Sequence, residues 1–291
     1  MKVSGFSFIR NAVKFDYPIV EAILSVLPLC DEFILAVGDS EDATRDLING
    51  ISSSKLKLVH TTWDDSLREG GRVLAEETNK AFRAIQRESD WCFYIQGDEI
   101  LHEKYHETVQ KAMADNLDER HIDGLLFKYL HFYGSYDYIG TSSRWYRNEI
   151  RIVRNNPSIY SFRDAQGFRK GDNKMLTVKQ LDAYIYHYGW VKPPSSMQAK
   201  QRSFQKLWHP DDWVEKKVAK ADEFDYSEID RLEFFSGTHP EVMQKRITQA
   251  NWKFDHDISK NRITLKERAK EWVFLCFGWD LNYKNYILAK D

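Results

Sequence analysis

Cysteine is scarce in this chain. Cys30, Cys92 and Cys276 are spread widely over 291 residues. An odd number at such spacing excludes a disulfide framework and a cysteine-type zinc site, and reads as buried thiols in a reducing compartment. Neither sign of charge is in excess. Lys and Arg number 42 against 44 Asp and Glu, a formal net charge of −2, which argues against a bulk electrostatic grip on nucleic acid. No run of about 18 apolar residues occurs, so no membrane-spanning helix is expected. The N-terminus, Met1-Lys2-Val3-Ser4-Gly5, enters a strand-like run without the basic, apolar and cleavage regions of a signal peptide. Internal repeats and low-complexity segments are missing too. Together these absences point to the cytoplasm.

What is present is ordinary in bulk: 42% hydrophobic and 30% charged residues, typical of a soluble globular protein. The length suits one large domain, or a core domain with an added lobe. Aromatic residues make up 14%. Such residues line sites for ring-shaped ligands, but core filling accounts for most of them.

Period-2 and helical spacings alternate along the first 120 residues. Strands are predicted at 3–9, 33–37, 56–60 and 91–95, and helices at 19–27, 43–49, 73–87 and 105–113. Pro18 opens the first helix, and the short oxygen-bearing side chains of Asp39–Asp42 suit a helix cap. This β-α-β-α-β-α-β order predicts an α/β fold, a doubly wound and mostly parallel sheet with helices on both faces. Strand-like runs follow at 124–133 and 144–154, with shorter ones at 176–178 and 183–188. From Ser195 the chain turns helical, at 195–208, 211–221, 239–249 and 264–275. The division is therefore residues 1–192 as a catalytic domain and 193–291 as a helical extension packed on it. The apolar run Trp272–Trp279 reads as a last helix packed on the core in preference to a membrane or partner contact.

"DWCFYIQGDEIL", residues 90–101, places Asp98 and Glu99 side by side at the end of a buried strand. Burying unpaired charge costs several kcal/mol per ion, so a positive partner is required. A hard divalent cation, Mg²⁺ or Mn²⁺, bound by carboxylate and substrate phosphates would supply it. In such sheets ligands sit beyond the carboxyl ends of the strands, where both Asp39 and Asp98 fall. His187, at the end of a later strand, offers an imidazole nitrogen. Alone it reads as a structural histidine. Lys192 offers a point cation for phosphate, and Arg72, beside Gly70-Gly71, offers another. Asp39 and Asp42 can accept hydrogen bonds from a base or ribose. Both also fit a plain helix cap.

These elements together resemble the family 2 glycosyltransferases of the GT-A fold. "SGFSFIRN" looks like the first donor-side strand. "VGDSEDAT" resembles the family's "VDDGSTDGT" turn, one residue shorter, with Asp39 taken as the reader of the nucleotide and Asp42 beside it. "ETNKAF" looks like the helix that carries an Asn, here Asn79. "YIQGDEIL" resembles the metal-binding Asp-x-Asp segment with Gln96 in place of the first Asp. That leaves Asp98 as the metal ligand and Glu99 as a lesser candidate. "YHYGW" looks like the C-terminal His, here His187, that completes coordination. The likeness covers residues 3–192 and leaves the helical tail out.

The resemblance implies a metal-dependent, inverting transfer of a sugar from a nucleotide-sugar donor to a hydroxyl of a glycan or glycolipid, as in polysaccharide biosynthesis, with Mn²⁺ or Mg²⁺ as cofactor. The donor-side residues are then Asp39, Asp42, Arg72, Asn79, Gln96 and Lys192. "YSFRDAQGFRKGD" lies where relatives carry an acidic base. Asp164 is the first choice, Asp137 and Glu149 are in reserve, and an ion pair of Asp164 with Arg163 or Arg169 is the structural alternative. "HFYGSYDYIG" and its surroundings offer His131, Tyr133 and Trp145 to an acceptor sugar. No nucleic-acid partner is expected. The basic and aromatic tail allows peripheral association with the inner membrane face. Two other classes stay open. One is a non-catalytic carbohydrate-binding protein on the same frame, favoured by Gln96. The other is a sugar nucleotidyltransferase, disfavoured because "SFIRNAVKF" has no Gly-rich loop for a triphosphate.

Overall fold

The computed structural model describes residues 1–67, 69–209, 211–218, 221–227, 229, 231–261, 264–277 and 284–290. The first half alternates as expected: β1 (Val3–Ile9), α1 (Ile19–Val26), β2 (Glu32–Gly38), α2 (Thr44–Asn49), β3 (Leu56–Thr61), α3 (Arg72–Arg83), β4 (Trp91–Tyr94), β5 (Glu99–Leu101) and α4 (His106–Asp115). Long strands then dominate: β6 (Gly124–Tyr133), β7 (Tyr138–Gly140), β8 (Asn148–Arg154), β9 (Ile159–Phe162), β10 (Gly167–Lys170), β11 (Lys174–Met175) and β12 (Thr177–Trp190). The tail holds α5 (Pro194–Gln205), α6 (Asp211–Lys217), β13 (Leu232–Phe234), α7 (Gln244–Thr248), α8 (Leu265–Phe277) and β14 (Ile287–Leu288).

The main sheet runs β3-β2-β1-β4-β8-β6, and β12 pairs with β6. Neighbours are parallel from β3 to β4 and again between β6 and β12. The strand β8 is inserted antiparallel between β4 and β6. The expected doubly wound, mostly parallel α/β sheet is what forms.

The strand β2 shows why. Every one of its residues is buried, and successive side chains serve opposite faces. Phe33, Leu35 and Val37 join Ile19, Ala22, Ile23 and Val26 of α1 and Val109 and Met113 of α4. Ile34 and Ala36 join Val73, Leu74 and Phe82 of α3 on the other face. The α1 residues recur at i, i+3, i+4 and i+7, the stripe a half-buried helix needs. The Phe82 ring stacks on Phe6 of β1, with centroids 5.0 Å apart.

The two short strands expected at 176–178 and 183–188 are one strand, β12. Its register against β6 shifts between Gln180 and Tyr184, and this bulge breaks the alternation that marks a continuous strand. The tail joins the core through a third cluster, where Met197, Tyr226 and Leu232 meet Tyr133 and Tyr138. The helix α8 touches the body of the protein where Glu267 accepts from the Ser143 hydroxyl at 3.3 Å. Leu265, Trp272, Leu275 and Phe277 are all exposed, against the expectation of a packed last helix, because α1, α4 and α3 already cover both faces of the sheet. Gly278 and Trp279, the end of that apolar run, lie outside the described residues. Cys30 and Cys92 are buried as expected, and Cys276 is exposed. Among the described residues no helix is long and apolar enough to cross a membrane.

Candidate active site

A cleft of about 650 Å³ opens beyond the carboxyl ends of the parallel strands. Arg10 and Asn11 enter it after β1, Glu41 after β2, and Gln96-Gly97-Asp98 after β4, while Lys200, Gln201 and Phe204 of α5 close one side. Parallel strands ending at a common edge leave such a crevice for ligands, and the volume is in the range of small-molecule sites.

The adjacent carboxylates Asp98 and Glu99 have different partners, and only Asp98 lines the cleft. Glu99 begins β5 and turns into the core. Arg151 of β8 binds it through two bonds, Nε to Oε2 and Nη2 to Oε1, both 2.7 Å, with neither side chain exposed. The Tyr129 hydroxyl donates to Oε1 at 2.8 Å. The positive partner of Glu99 is therefore a strand residue of the same chain, and Glu99 is not available to a metal.

Asp98 stays in the turn between β4 and β5, facing the cleft. The Lys200 ammonium donates to its Oδ2 at 3.1 Å and to the Gly189 carbonyl at 3.0 Å. The His187 Nε2 lies 3.9 Å from Oδ1. Burial alone would raise the Asp98 carboxyl, but the Lys200 ammonium, then His187 and Lys192, overcome it and hold the group well below the usual carboxylate range. Gly189 permits this crowding. A Cβ there would lie 2.5 Å from His187 Nε2 and 2.8 Å from Asp98 Oδ2.

His187 is oriented from behind by His131. The two Nδ1 atoms are 3.0 Å apart, and His131 Nε2 lies 2.7 Å from the Tyr146 carbonyl. A carbonyl only accepts, so His131 carries its proton on Nε2 and accepts at Nδ1 from His187. The Nε2 lone pair of His187 is thereby turned toward Asp98. Burial pushes both imidazoles down, His187 to about 4 and His131 to about 3, so both are neutral at pH 7. His131, expected at an acceptor sugar, positions His187 instead.

Asp98 and His187 are brought together as predicted for metal ligands. Among the described residues, however, no group of three or more His, Cys, Asp or Glu could hold a metal ion. Gln96 donates its amide nitrogen to the Tyr94 hydroxyl and the Ala165 carbonyl, Glu99 is held by Arg151, and an ammonium already binds one Asp98 oxygen. Magnesium takes six ligands, preferring oxygen. Waters and substrate phosphates can complete that set, so what stands against an ion here is the Lys200 ammonium, already seated on Asp98 and the Gly189 carbonyl where a divalent ion would bind.

Asp164 lines the same cleft and also a second cavity of about 450 Å³. Tyr146, Asp164 and Gln166 are common to both. Its neighbours Arg163 and Ala165 have φ of 56° and 62°, a left-handed conformation that costs energy in non-glycine residues and clusters at functional sites. The Gln96 bond to Ala165 pins this loop. Burial raises the Asp164 carboxyl, and hydrogen bonds from its own backbone and that of Gln166 partly offset the rise. Glu149 lines the second cavity. Burial pushes it up to about 8, with Arg151 opposing and Glu99 and Asp164 adding to the rise.

Other predicted residues have structural employment. Asn79 is buried on α3 and exchanges two bonds with the Ser161 backbone, tying the helix to β9. Asp42 accepts from Thr44 and from the Lys14 amide, which ties the turn before α2 to the loop after β1; the N-cap itself is Ala43, with no side-chain cap bond. Asp39 is exposed at the end of β2 and accepts from Thr62. Arg72 is exposed on α3 and does not line the cleft. Lys192 is fully buried behind it, donating to the Asp16 carbonyl at 2.7 Å with its ammonium 4.4 Å from the Tyr17 ring centroid. Tyr133 packs in the third cluster against Trp190 and Tyr226. Trp145 lines the second cavity and stacks on His131. Asp137 is exposed in the turn before β7, away from both cavities.

Lys200 and Arg151 were missed in the sequence. Arg151 had one signal, its place between Ile150 and Ile152 in a strand. Lys200 had none, being 102 positions from Asp98 in a segment of mixed polarity.

No protein-family model matches the chain, and no curated protein matches it. Solved structures similar to it include GT-A-type glycosyltransferases. S. aureus TarS matches over 70% of this chain and 39% of its own, at 18% identity and a TM-score of 0.42. Its 1-349 fragment in complex with UDP matches over 76% and 70%, at 18% identity and a TM-score of 0.42. Glucosyl-3-phosphoglycerate synthase from Mycobacterium tuberculosis, solved with Mn²⁺, UDP and glucosyl-3-phosphoglycerate, matches over 46% and 45%, at 19% identity and a TM-score of 0.30. The 4-diphosphocytidyl-2C-methyl-D-erythritol synthase of Anaerococcus prevotii DSM 20548 is also similar, at 14% identity and a TM-score of 0.38 over 66% and 89%. With every one of these scores below 0.5, the functional reading rests on the cleft itself.

Proposed function

We propose that the chain is a glycosyltransferase. It moves a sugar from a nucleotide-sugar donor to a hydroxyl of a glycan or glycolipid acceptor, with inversion at the anomeric carbon. The observation that carries this reading is the position of Asp164 as shared lining of two cavities. The larger offers Phe8 and Trp63, rings 5.9 Å apart, and basic residues to a nucleoside diphosphate. The smaller offers Trp145 and Glu149 to a second substrate.

In this reading the acceptor hydroxyl oxygen attacks the anomeric carbon and its proton passes to the Asp164 carboxylate. The bond from the anomeric carbon to the diphosphate oxygen breaks, and its electron pair leaves with the nucleoside diphosphate. One carboxylate suffices, and no covalent intermediate forms. Asp98 and His187 are the residues this reading would give to Mn²⁺ or Mg²⁺. The Lys200 ammonium already occupies that place on Asp98 and the Gly189 carbonyl.

The test is a donor panel. The protein is incubated with UDP-, GDP-, CDP- and dTDP-sugars, with and without short glycans, and released nucleoside diphosphate is measured. Turnover of at least one donor, lost in Asp164→Asn, is the expected result. Pyrophosphate release from nucleoside triphosphates with sugar phosphates would point to nucleotidyl transfer. Sugar binding without turnover of any donor would point to a non-catalytic protein.

A further inference from the structure

We infer that Lys200, carried by α5, is the cation of this cleft and meets the donor diphosphate in place of a divalent ion. The inference rests on the glycosyltransferase reading above and names the group that takes the leaving charge.

The floor of the cleft is a cation site by its chemistry. The Asp98 carboxylate, the Gly189 carbonyl and the Nε2 lone pair of His187 are all acceptors, and they crowd together because residue 189 has no side chain. Three converging acceptors with no positive charge among them would repel one another. The ammonium of Lys200 resolves this, 3.1 Å from Asp98 and 3.0 Å from the Gly189 oxygen. Lys200 also lines the open cleft, so its charge is presented where a diphosphate would enter. Its place is fixed from below by the Tyr17 ring, whose centroid lies 4.9 Å from the Lys200 nitrogen.

A divalent ion at Asp98 would have to displace this ammonium. An ion drawn from solution pays its own dehydration and depends on its concentration, whereas Lys200 is covalently delivered and always present. In the transfer step, electrons from the broken sugar–oxygen bond remain on the diphosphate. Lys200 stabilises them by a charge-assisted hydrogen bond and keeps its proton. Gln96 is left to hold the Asp164 loop, its amide nitrogen donating to the Ala165 carbonyl.

Calorimetric titration tests this without requiring a known sugar. UDP, GDP, CDP, ADP and dTDP are titrated into the wild type and Lys200→Gln, each in EDTA and again in Mn²⁺. At least one nucleotide is expected to bind the wild type in EDTA, with Mn²⁺ changing its Kd by less than about threefold. Lys200→Gln should weaken that binding by about tenfold or more in EDTA, and Mn²⁺ should restore part of it. Wild-type binding that requires Mn²⁺, or a folded Lys200→Gln with unchanged affinity in EDTA, overturns the inference and leaves the glycosyltransferase reading in place. Wild-type protein that binds no member of the panel in either condition overturns both. The wild-type comparison needs no variant, so a folding defect in Lys200→Gln does not protect the inference.

Discussion

Arg151 grips both carboxylate oxygens of Glu99, each at 2.7 Å, with neither side chain exposed to solvent. Breaking a buried pair from one side leaves an uncompensated charge and costs about 3–5 kcal/mol. Arg151→Met is therefore expected to lower the unfolding free energy by that amount. Glu99→Gln combined with Arg151→Met should recover a large part of it, since no lone charge remains. Denaturant melts of the two variants check this. Equal losses in the single and double variants would mean that packing around Arg151, not its charge, matters.

Asp164→Asn keeps the shape of the loop and removes the carboxylate proposed as the base. Turnover should fall by about 10²–10⁴-fold, the usual contribution of a general base. Nucleotide affinity should hold within about threefold. Steady-state rates and a binding titration on the same sample separate the two effects. A parallel loss of binding and turnover would make Asp164 a structural residue of the cleft.

Glu149 gives a pH signature. Its carboxyl rises from the ordinary 4.5 to about 8 in the folded protein because it is buried. The folded state thus holds a proton that the unfolded chain releases. The stability this contributes is complete below the unfolded value and is lost as pH rises to about 8, at about 1.4 kcal/mol per pH unit. Glu149→Gln cannot ionise, so it should melt close to wild type near pH 4.5 and at progressively higher temperature than wild type up to pH 8. Thermal melts across that window decide. A difference that does not grow with pH would show that Glu149 is ionised in the fold.

Asn79→Ala should behave as a stability variant. It removes the two bonds to Ser161 that join α3 to β9 and leaves buried backbone groups unpaired, at a cost of about 1–3 kcal/mol. Nucleotide affinity, measured by titration below the melting point, should not change. A selective loss of affinity without destabilisation would return Asn79 to the donor side.

How much of this the amino-acid order reveals depends on how local the signal is. The units from β1 to α4 were legible because each carries its own period: apolar residues on both faces of β2, and a single stripe on α1. Asp98 and His187 were legible as neighbours in one cleft because Asp98 follows a buried strand and His187 lies near the carboxyl end of another. The meeting of Asp98 and Lys200 was not, since nothing near Lys200 marks it and only the docking of α5 brings it to the cleft. The Asn79 motif misled for the same reason. An asparagine on a helix looks alike whether it faces a nucleotide or the Ser161 backbone. The bulge in β12 hid one long strand behind two short ones.

The most direct test is the structure of a crystal grown with the nucleoside diphosphate that the titration selects, in EDTA. The account predicts the diphosphate in the larger cleft within hydrogen-bonding reach of Lys200 Nζ, with Asp164 facing the end from which a sugar would leave. A nucleotide bound elsewhere, or a diphosphate in the cleft with Lys200 turned away from it, would contradict the account.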